Sequence, residues 1–262
     1  MTALNIRNVW VQYGEQIVLE RITLRIESGG FVVIVGPSGC GKTTFLRLLL
    51  GQERPSRGEI LLGDAPMPPE PGRDRGVVFQ RYSVFPHLTV LGNVMLGADL
   101  AGAPLLGRVL GAPRRKAREE ARALLAEVGL STSERKYPAQ LSGGMQQRLA
   151  LAQALIAKPR VLLLDEPFGA LDPGIRGEIH ALTRTLWKET GVTVVMVTHD
   201  LKEAFALGTR VVVFDRVRNR PEEQLRYGAT ITQNIEVHRR RERTPAAFDP
   251  PNSGRDDPAA TH

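Results

Sequence analysis

Phe31 to Gly51 reads FVVIVGPSGCGKTTFLRLLLG, and this stretch decides the fold. Its first five residues are apolar throughout, as expected of a strand covered on both faces. A glycine-rich turn follows, then a helical pattern closed by Gly51. Strand, loop and helix in that order are the setting of a phosphate-binding loop. Gly36, Gly39 and Gly41, with Pro37, Ser38 and Cys40 between them, let the backbone curl so that successive amide N–H groups face one point. Such a concavity holds phosphate oxygens, and the helix beginning near Lys42 adds its positive end. Lys42 is placed for the β- and γ-phosphates, the Thr43 hydroxyl for Mg2+, and Thr44 for the α-phosphate side. ATP and Mg2+ are therefore the expected ligands; the plain alternative is a glycine-rich turn with an incidental lysine.

A second continuous apolar run, VLLL at Val161–Leu164, ends in Asp165, Glu166 and Pro167. A carboxylate buried at a strand end is costly without a cation, and a magnesium ion held through water by Asp165 and directly by Thr43 supplies one. Glu166 follows on the other face, aimed at the γ-phosphate, and is the candidate general base that activates water. Two acids merely solvated at a strand end would be the bland reading. Val192–Val197 is a third β-rich run, and all three read as central parallel strands. By contrast, Ile22, Leu24 and Ile26 alternate with polar residues, the period of a half-exposed antiparallel strand. Cys40 lies near a helix start and Lys42, an environment expected to lower its thiol pKa, although the favoured reading is a small residue that simply fits.

The chain has 262 residues, one cysteine and a net charge of +7. Its length fits one large α/β domain or a core with an inserted subdomain. No run of about 18 apolar residues occurs, so no segment is expected to span a bilayer. MTALNIRNVW lacks the features of a signal peptide, which predicts a cytoplasmic location. A single cysteine excludes an internal disulfide and fits a reducing compartment. Basic residues gather at Arg114–Arg122, Arg216–Arg226 and Arg239–Arg243, mostly outside the motifs. They read as solvated or membrane-proximal surface, with nucleic acid as the less favoured partner.

Between Gln80 and Gln140 the character changes. Pro113 opens a helical segment in which Ala117, Ala121, Leu124, Leu125 and Val128 recur at helical spacing, and Gly129 stands where a C-terminal cap belongs. Arg114, Arg115 and Lys116 in its first turn oppose the helix dipole. They are either a tolerated cost or a surface contact. After Phe214 the patterning fades into prolines and the run RRRER, so Arg239–His262 is expected to be largely disordered.

The remaining motif is LSGGMQQR, Leu141 to Arg148, lying between GPSGCGKT and VLLLDEP. In this order and spacing the three resemble the ABC ATPases over about the first 215 residues. That resemblance implies an α/β fold, a P-loop NTPase core of ABC ATPase type with an antiparallel β subdomain and an inserted helical subdomain. Residues 1–80 and 141–215 would form the core, 81–140 the helical subdomain, and 216–262 a C-terminal extension. It also implies roles for residues that are weak signals alone. Gln80 resembles the Q-loop glutamine, a magnesium and water ligand. His199 resembles the switch histidine that holds the attacking water, and Tyr13 the aromatic that stacks on adenine. Asp172 matches the D-loop, which crosses a dimer interface. Ser142, Gly143 and Gly144 would bind the γ-phosphate held by a second copy of the chain; Met145 stands where the family usually has glutamine.

Within that class, Arg81–Val94 looks like the importer surface that receives a helix of a membrane permease, with Tyr82, Phe85, Pro86 and Leu88 apolar. The stretch from Gly72 to Leu96 most resembles ATPases of the nitrate, sulfonate and taurine importers. These would sit peripherally on the cytoplasmic face of the cell membrane, with a periplasmic or extracellular substrate-binding protein as an indirect partner. The alternatives are an ABC ATPase of a lipid-transport or cell-division complex, or a non-transport ABC ATPase. Lys42 and Leu141 lie too close in sequence for the inserted coiled coil of DNA-repair relatives.

Overall fold

The computed structural model describes residues 2–80, 84–102, 112–218, 220, 223 and 225–237. The strands are β1 (Thr2–Tyr13), β2 (Gln16–Glu27), β3 (Phe31–Val35), β4 (Arg57–Leu62), β5 (Ala65–Pro66), β6 (Arg75–Val78), β7 (Val161–Asp165), β8 (Thr193–Thr198), β9 (Arg210–Asp215) and β10 (Thr230–Glu236). The helices are α1 (Lys42–Leu50), α2 (Val90–Gly102), α3 (Ala112–Glu127), α4 (Gly143–Leu155), α5 (Pro173–Thr190) and α6 (Leu201–Leu207).

Two sheets result. An antiparallel one has the order β2-β1-β4-β5, and a six-stranded one the order β10-β9-β3-β8-β7-β6. In the second, β9, β3, β8, β7 and β6 run parallel and β10 joins antiparallel at the edge. The continuous apolar runs are explained by burial on both faces. Phe31, Val33 and Val35 of β3 pack into an apolar cluster with α2 to α6, while Val32 and Ile34 face a second cluster built from α1 and the antiparallel sheet. Strands β7 and β8 divide their side chains the same way. In β2 the alternation of buried and exposed residues matches a strand with one wet face.

The helical pattern from Pro113 forms α3, with Ala121, Leu125 and Val128 buried and Gly129 in the left-handed conformation at φ 72°. Helix α4 packs against α2, α3, α5 and β6, so one apolar cluster runs from the helical segment into the sheet. Strand β10 lies in the C-terminal extension, where the sequence shows no strand period. All its residues are exposed or only partly buried, and it is held by pairing with β9. The tail from Arg239, expected to be disordered, lies outside the described residues, as do Arg81 and Tyr82. Among the described residues no helix is long and apolar enough to cross a membrane.

Candidate functional site

The loop from Gly36 to Gly41 leaves the C-terminal end of β3 and feeds the N-terminus of α1. Gly39 and Gly41 take φ of 78° and 89°, a region L side chains rarely adopt. Gly36 is needed for space: a Cβ there would collide with the Phe214 carbonyl oxygen and lie 2.9 Å from Cys40 Sγ. Lys42 is buried, and its Nζ donates to the carbonyls of Gly36 at 2.8 Å and Pro37 at 2.9 Å. Pro37, Ser38 and Gly39 are exposed at the crest of the loop, as is Thr43 beyond it.

The thiol of Cys40 departs from expectation. Burial raises its pKa above the usual thiol value, outweighing the lowering effect of the Lys42 ammonium. Cys40 is a small buried residue packed against Gly36, which matches the reading of a residue that fits there.

Asp165 ends β7 beside this loop. Burial and the neighbouring Glu166 push its carboxyl up, while Arg47, Lys42 and a hydrogen bond from Thr43 act to lower it. Two of the three residues expected to hold magnesium, Thr43 and Asp165, are thus brought together. A carboxylate disfavoured in its charged form next to a hydroxyl suits a hard divalent cation. Among the described residues no cluster of three His, Cys, Asp or Glu side chains forms a metal cage. The phosphates of a nucleotide would have to complete the coordination.

Glu166 has φ of 44°, a left-handed backbone that costs a non-glycine residue about 1–3 kcal/mol. Its amide is fixed by donation to the Val197 carbonyl at 3.0 Å. This turn aims the side chain back across the strand ends. His199 Nδ1 lies 3.2 Å from Glu166 Oε2, and Gln80 Nε2 donates to the same oxygen at 3.5 Å. The His199 contact needs the imidazole proton on Nδ1. Two residues far apart in sequence, after β6 and β8, therefore converge on one carboxylate oxygen of the residue that follows β7.

Tyr13 closes β1, exposed, with its hydroxyl donating to the carboxylate of Glu53. The Thr44 hydroxyl also bonds to it, so the aromatic expected at adenine is linked to the phosphate loop. Glu53, which no sequence motif marks, is in turn paired with Arg47 at 3.4 Å.

Ser142, Gly143, Gly144 and Asp172 form a separate group. Ser142 caps α4, accepting from the Met145 amide at 3.3 Å. Asp172 caps α5 with its backbone only, leaving its exposed side chain off the helix's first turn. Gly144 joins the two helices: a Cβ there would sit 2.6 Å from Ile175 Cγ2. Among the described residues no hydrogen bond or ion pair ties this group to Gly36–Thr44.

Further out, a groove of about 400 Å³ is lined in part by Val77, Phe79, Phe85, Gly97, Ala150 and Ala154. Its rim is held by Asn93, a fully buried amide on α2. Asn93 accepts from the Phe85 amide at 2.6 Å and donates to the carbonyls of Phe85, Leu88 and Thr89. The one signal in the sequence was an asparagine inside an apolar helix.

A phosphate loop on a parallel sheet, an Asp–Thr cation pair and a convergent Glu, His and Gln define a P-loop nucleotide-binding domain. A family model described as ABC transporter matches residues 19–169. An aliphatic sulfonates import ATP-binding protein of Paraburkholderia xenovorans (strain LB400) is 46% identical over 216 residues, covering 82% of this chain and 58% of that protein. A Fe(3+) ions import ATP-binding protein of Rhizobium meliloti (strain 1021) is 44% identical over 209 residues, covering 79% and 57%. Among solved structures, cbiO1 from Clostridium perfringens, part of the ABC transporter complex cbiONQ, matches with a TM-score of 0.75 at 26% identity. That match covers 90% of this chain and 89% of the other. The chain belongs to the ABC transporter family and has its ATP-binding cassette fold. It spans somewhat under three-fifths of the length of the two relatives above.

Proposed function

We propose that this chain hydrolyses ATP to ADP and phosphate and thereby drives import of a small solute through a separate membrane permease. The observation that carries this reading is the convergence of His199 and Gln80 on Glu166 beside the Lys42 loop. In the mechanism, amides of Gly36–Gly41 and the Lys42 ammonium hold the phosphates, and Tyr13 stacks on the base. Thr43 and Asp165 would hold Mg2+, with Gln80 at its edge; the ion's contribution is to neutralise phosphate charge. Glu166 orients a water molecule towards the γ-phosphate and takes its proton, while His199 fixes the carboxylate and contacts the phosphate.

Ser142, Gly143, Gly144 and Asp172 lie on other helix starts, which fits a site completed by a second copy. Two chains would enclose two ATP molecules, each between the phosphate loop of one and the Ser142 helix start of the other. The groove is lined by Phe79 and Phe85, so a permease helix seated there would bear on Phe79, the chain neighbour of Gln80. Apolar grooves of this kind suit an amphipathic helix. Import is supported by the relatives that transport sulfonate and iron. We assign the cargo to the nitrate, sulfonate and taurine class, delivered by an external binding protein, with the chain peripheral on the cytoplasmic membrane face.

Phosphate release from ATP by the purified chain, alone and with Glu166→Gln, tests the reading. The variant should bind ATP normally, lose turnover by roughly 10²–10⁴-fold, and accumulate as an ATP-bound dimer on gel filtration. Full turnover in Glu166→Gln would remove Glu166 from the base role.

A further inference from the structure

Behind His199 lies a buried polar cluster that the mechanism above does not use. Glu203 on α6 is buried, and its Oε2 accepts from the Thr198 hydroxyl at 2.8 Å. That hydroxyl accepts from the Asp200 amide at 3.1 Å. Thr198 and Asp200 are the two neighbours of His199, so this network sets the backbone that presents the imidazole. Across the gap, on α5, Arg176 Nη1 lies 3.6 Å from Asp200 Oδ2 and its Nε lies 3.7 Å from Glu203 Oε1. Arg176 Nη2 also donates to the Leu171 carbonyl at 3.1 Å, within the loop that carries Asp172. His180 Nε2 stands 3.7 Å from Glu203 Oε1, with its ring edge-on to Phe168 at 4.6 Å.

One guanidinium therefore spans the Asp172 loop and both acids that flank or anchor His199. Its contacts to those acids are long, and among the described residues Arg176 Nε is buried with no hydrogen-bond partner. An unsatisfied buried donor is costly, and closing the 3.7 Å gap from Arg176 Nε to Glu203 Oε1 by a few tenths of an ångström would satisfy it. Only an arginine presents its donors as a fixed fork; a lysine in its place reaches one partner at a time.

We propose that Arg176 is a positioning residue for His199, transmitting the placement of the Asp172 loop to the His199–Glu166 pair through Asp200 and Glu203. This rests on the ATPase reading given above. The link would make hydrolysis sensitive to whatever engages Asp172, a second copy of the chain included.

The test is a double-mutant cycle on steady-state ATP hydrolysis. Arg176→Lys should fold, keep KM for ATP and lose roughly 10–100-fold in kcat, the scale of a misplaced catalytic group. In a His199→Ala background the same change should cost nothing further, because the two act as one unit. A kcat within about twofold of wild type, or losses that simply multiply, would overturn the proposal. If hydrolysis by His199→Ala is too slow to follow, the ¹⁵N resonances of the His199 imidazole decide. They should shift in Arg176→Lys, and unchanged resonances would refute the link. Should Arg176→Lys fail to fold, Glu203→Gln takes its place in the same cycle, since a glutamine still accepts from Thr198. A wild-type chain without ATPase activity would refute the proposed function instead, while the imidazole resonances would still test the Arg176–His199 link.

Discussion

Asp165 stands where burial and a neighbouring carboxylate both disfavour its ionised form, and its carboxyl is pushed above the ordinary aspartate value. A carboxyl that holds its proton more tightly folded than unfolded stabilises the fold below the unfolded pKa. That advantage is lost as pH rises through the folded one. The unliganded chain should therefore gain stability relative to Asp165→Asn as pH falls from neutral through the raised value. Urea midpoints of the two proteins across that range check this, and a pH-independent difference would contradict it. A bound cation requires the ionised form, so Mg2+–nucleotide affinity should weaken over the same window. Cys40 shows how sequence neighbours mislead at this scale. Lys42 does draw its thiol down, as the motif suggests, but the burial that reverses the outcome comes from an apolar cluster that includes residues distant in the chain.

Helices α4 and α5 meet through an absent side chain. Gly144 reads in the motif as a phosphate ligand, yet within this chain it also makes room for Ile175, whose Cγ2 would lie 2.6 Å from any added Cβ. That methyl branches directly at Cβ and cannot swing aside. Gly144→Ala should destabilise the chain by about 1–3 kcal/mol through overpacking, and adding Ile175→Ala should restore most of it. Thermal or urea denaturation of the single and double variants measures both steps. The same scale explains which elements could be read in advance. Strands β3, β7 and β8 are covered on both faces, so their apolar runs are uninterrupted. Strand β10 is exposed along most of its length and owes its place to backbone pairing with β9, which leaves no mark on side-chain pattern. Glu53, Arg176 and Glu203 were illegible for a related reason: each works through a partner brought near only by the fold.

Across the whole molecule the candidate residues divide into two sets. Gly36–Thr44, Asp165, Glu166, His199 and Gln80 gather at the C-terminal ends of parallel strands, while Ser142–Gly144 and Asp172 mark helix starts joined to each other at Gly144 and Ile175. The motifs named both sets, and the family resemblance implied that they belong to different copies of the chain. In the proposed two-fold assembly each site draws one set from each chain. A chain damaged at Lys42 and a chain damaged at Ser142 should each be inactive. An equal mixture should recover roughly a quarter of wild-type ATPase, because half the pairs are mixed and each has one intact site of two. No recovery on mixing, in chains shown to exchange partners, would contradict the shared sites.

Lys42 carries a last implication, for discrimination among ligands. Its buried ammonium is already neutralised in part by the carbonyl oxygens of Gly36 and Pro37. A newcomer must outcompete these two neutral acceptors. An ionised phosphate oxygen does so, since it meets the ammonium with a full opposite charge where a carbonyl offers only a dipole. Adenosine, carrying the same base and sugar but no anion, offers the lysine no such charge, so the loop should disfavour nucleosides by keeping its cation occupied.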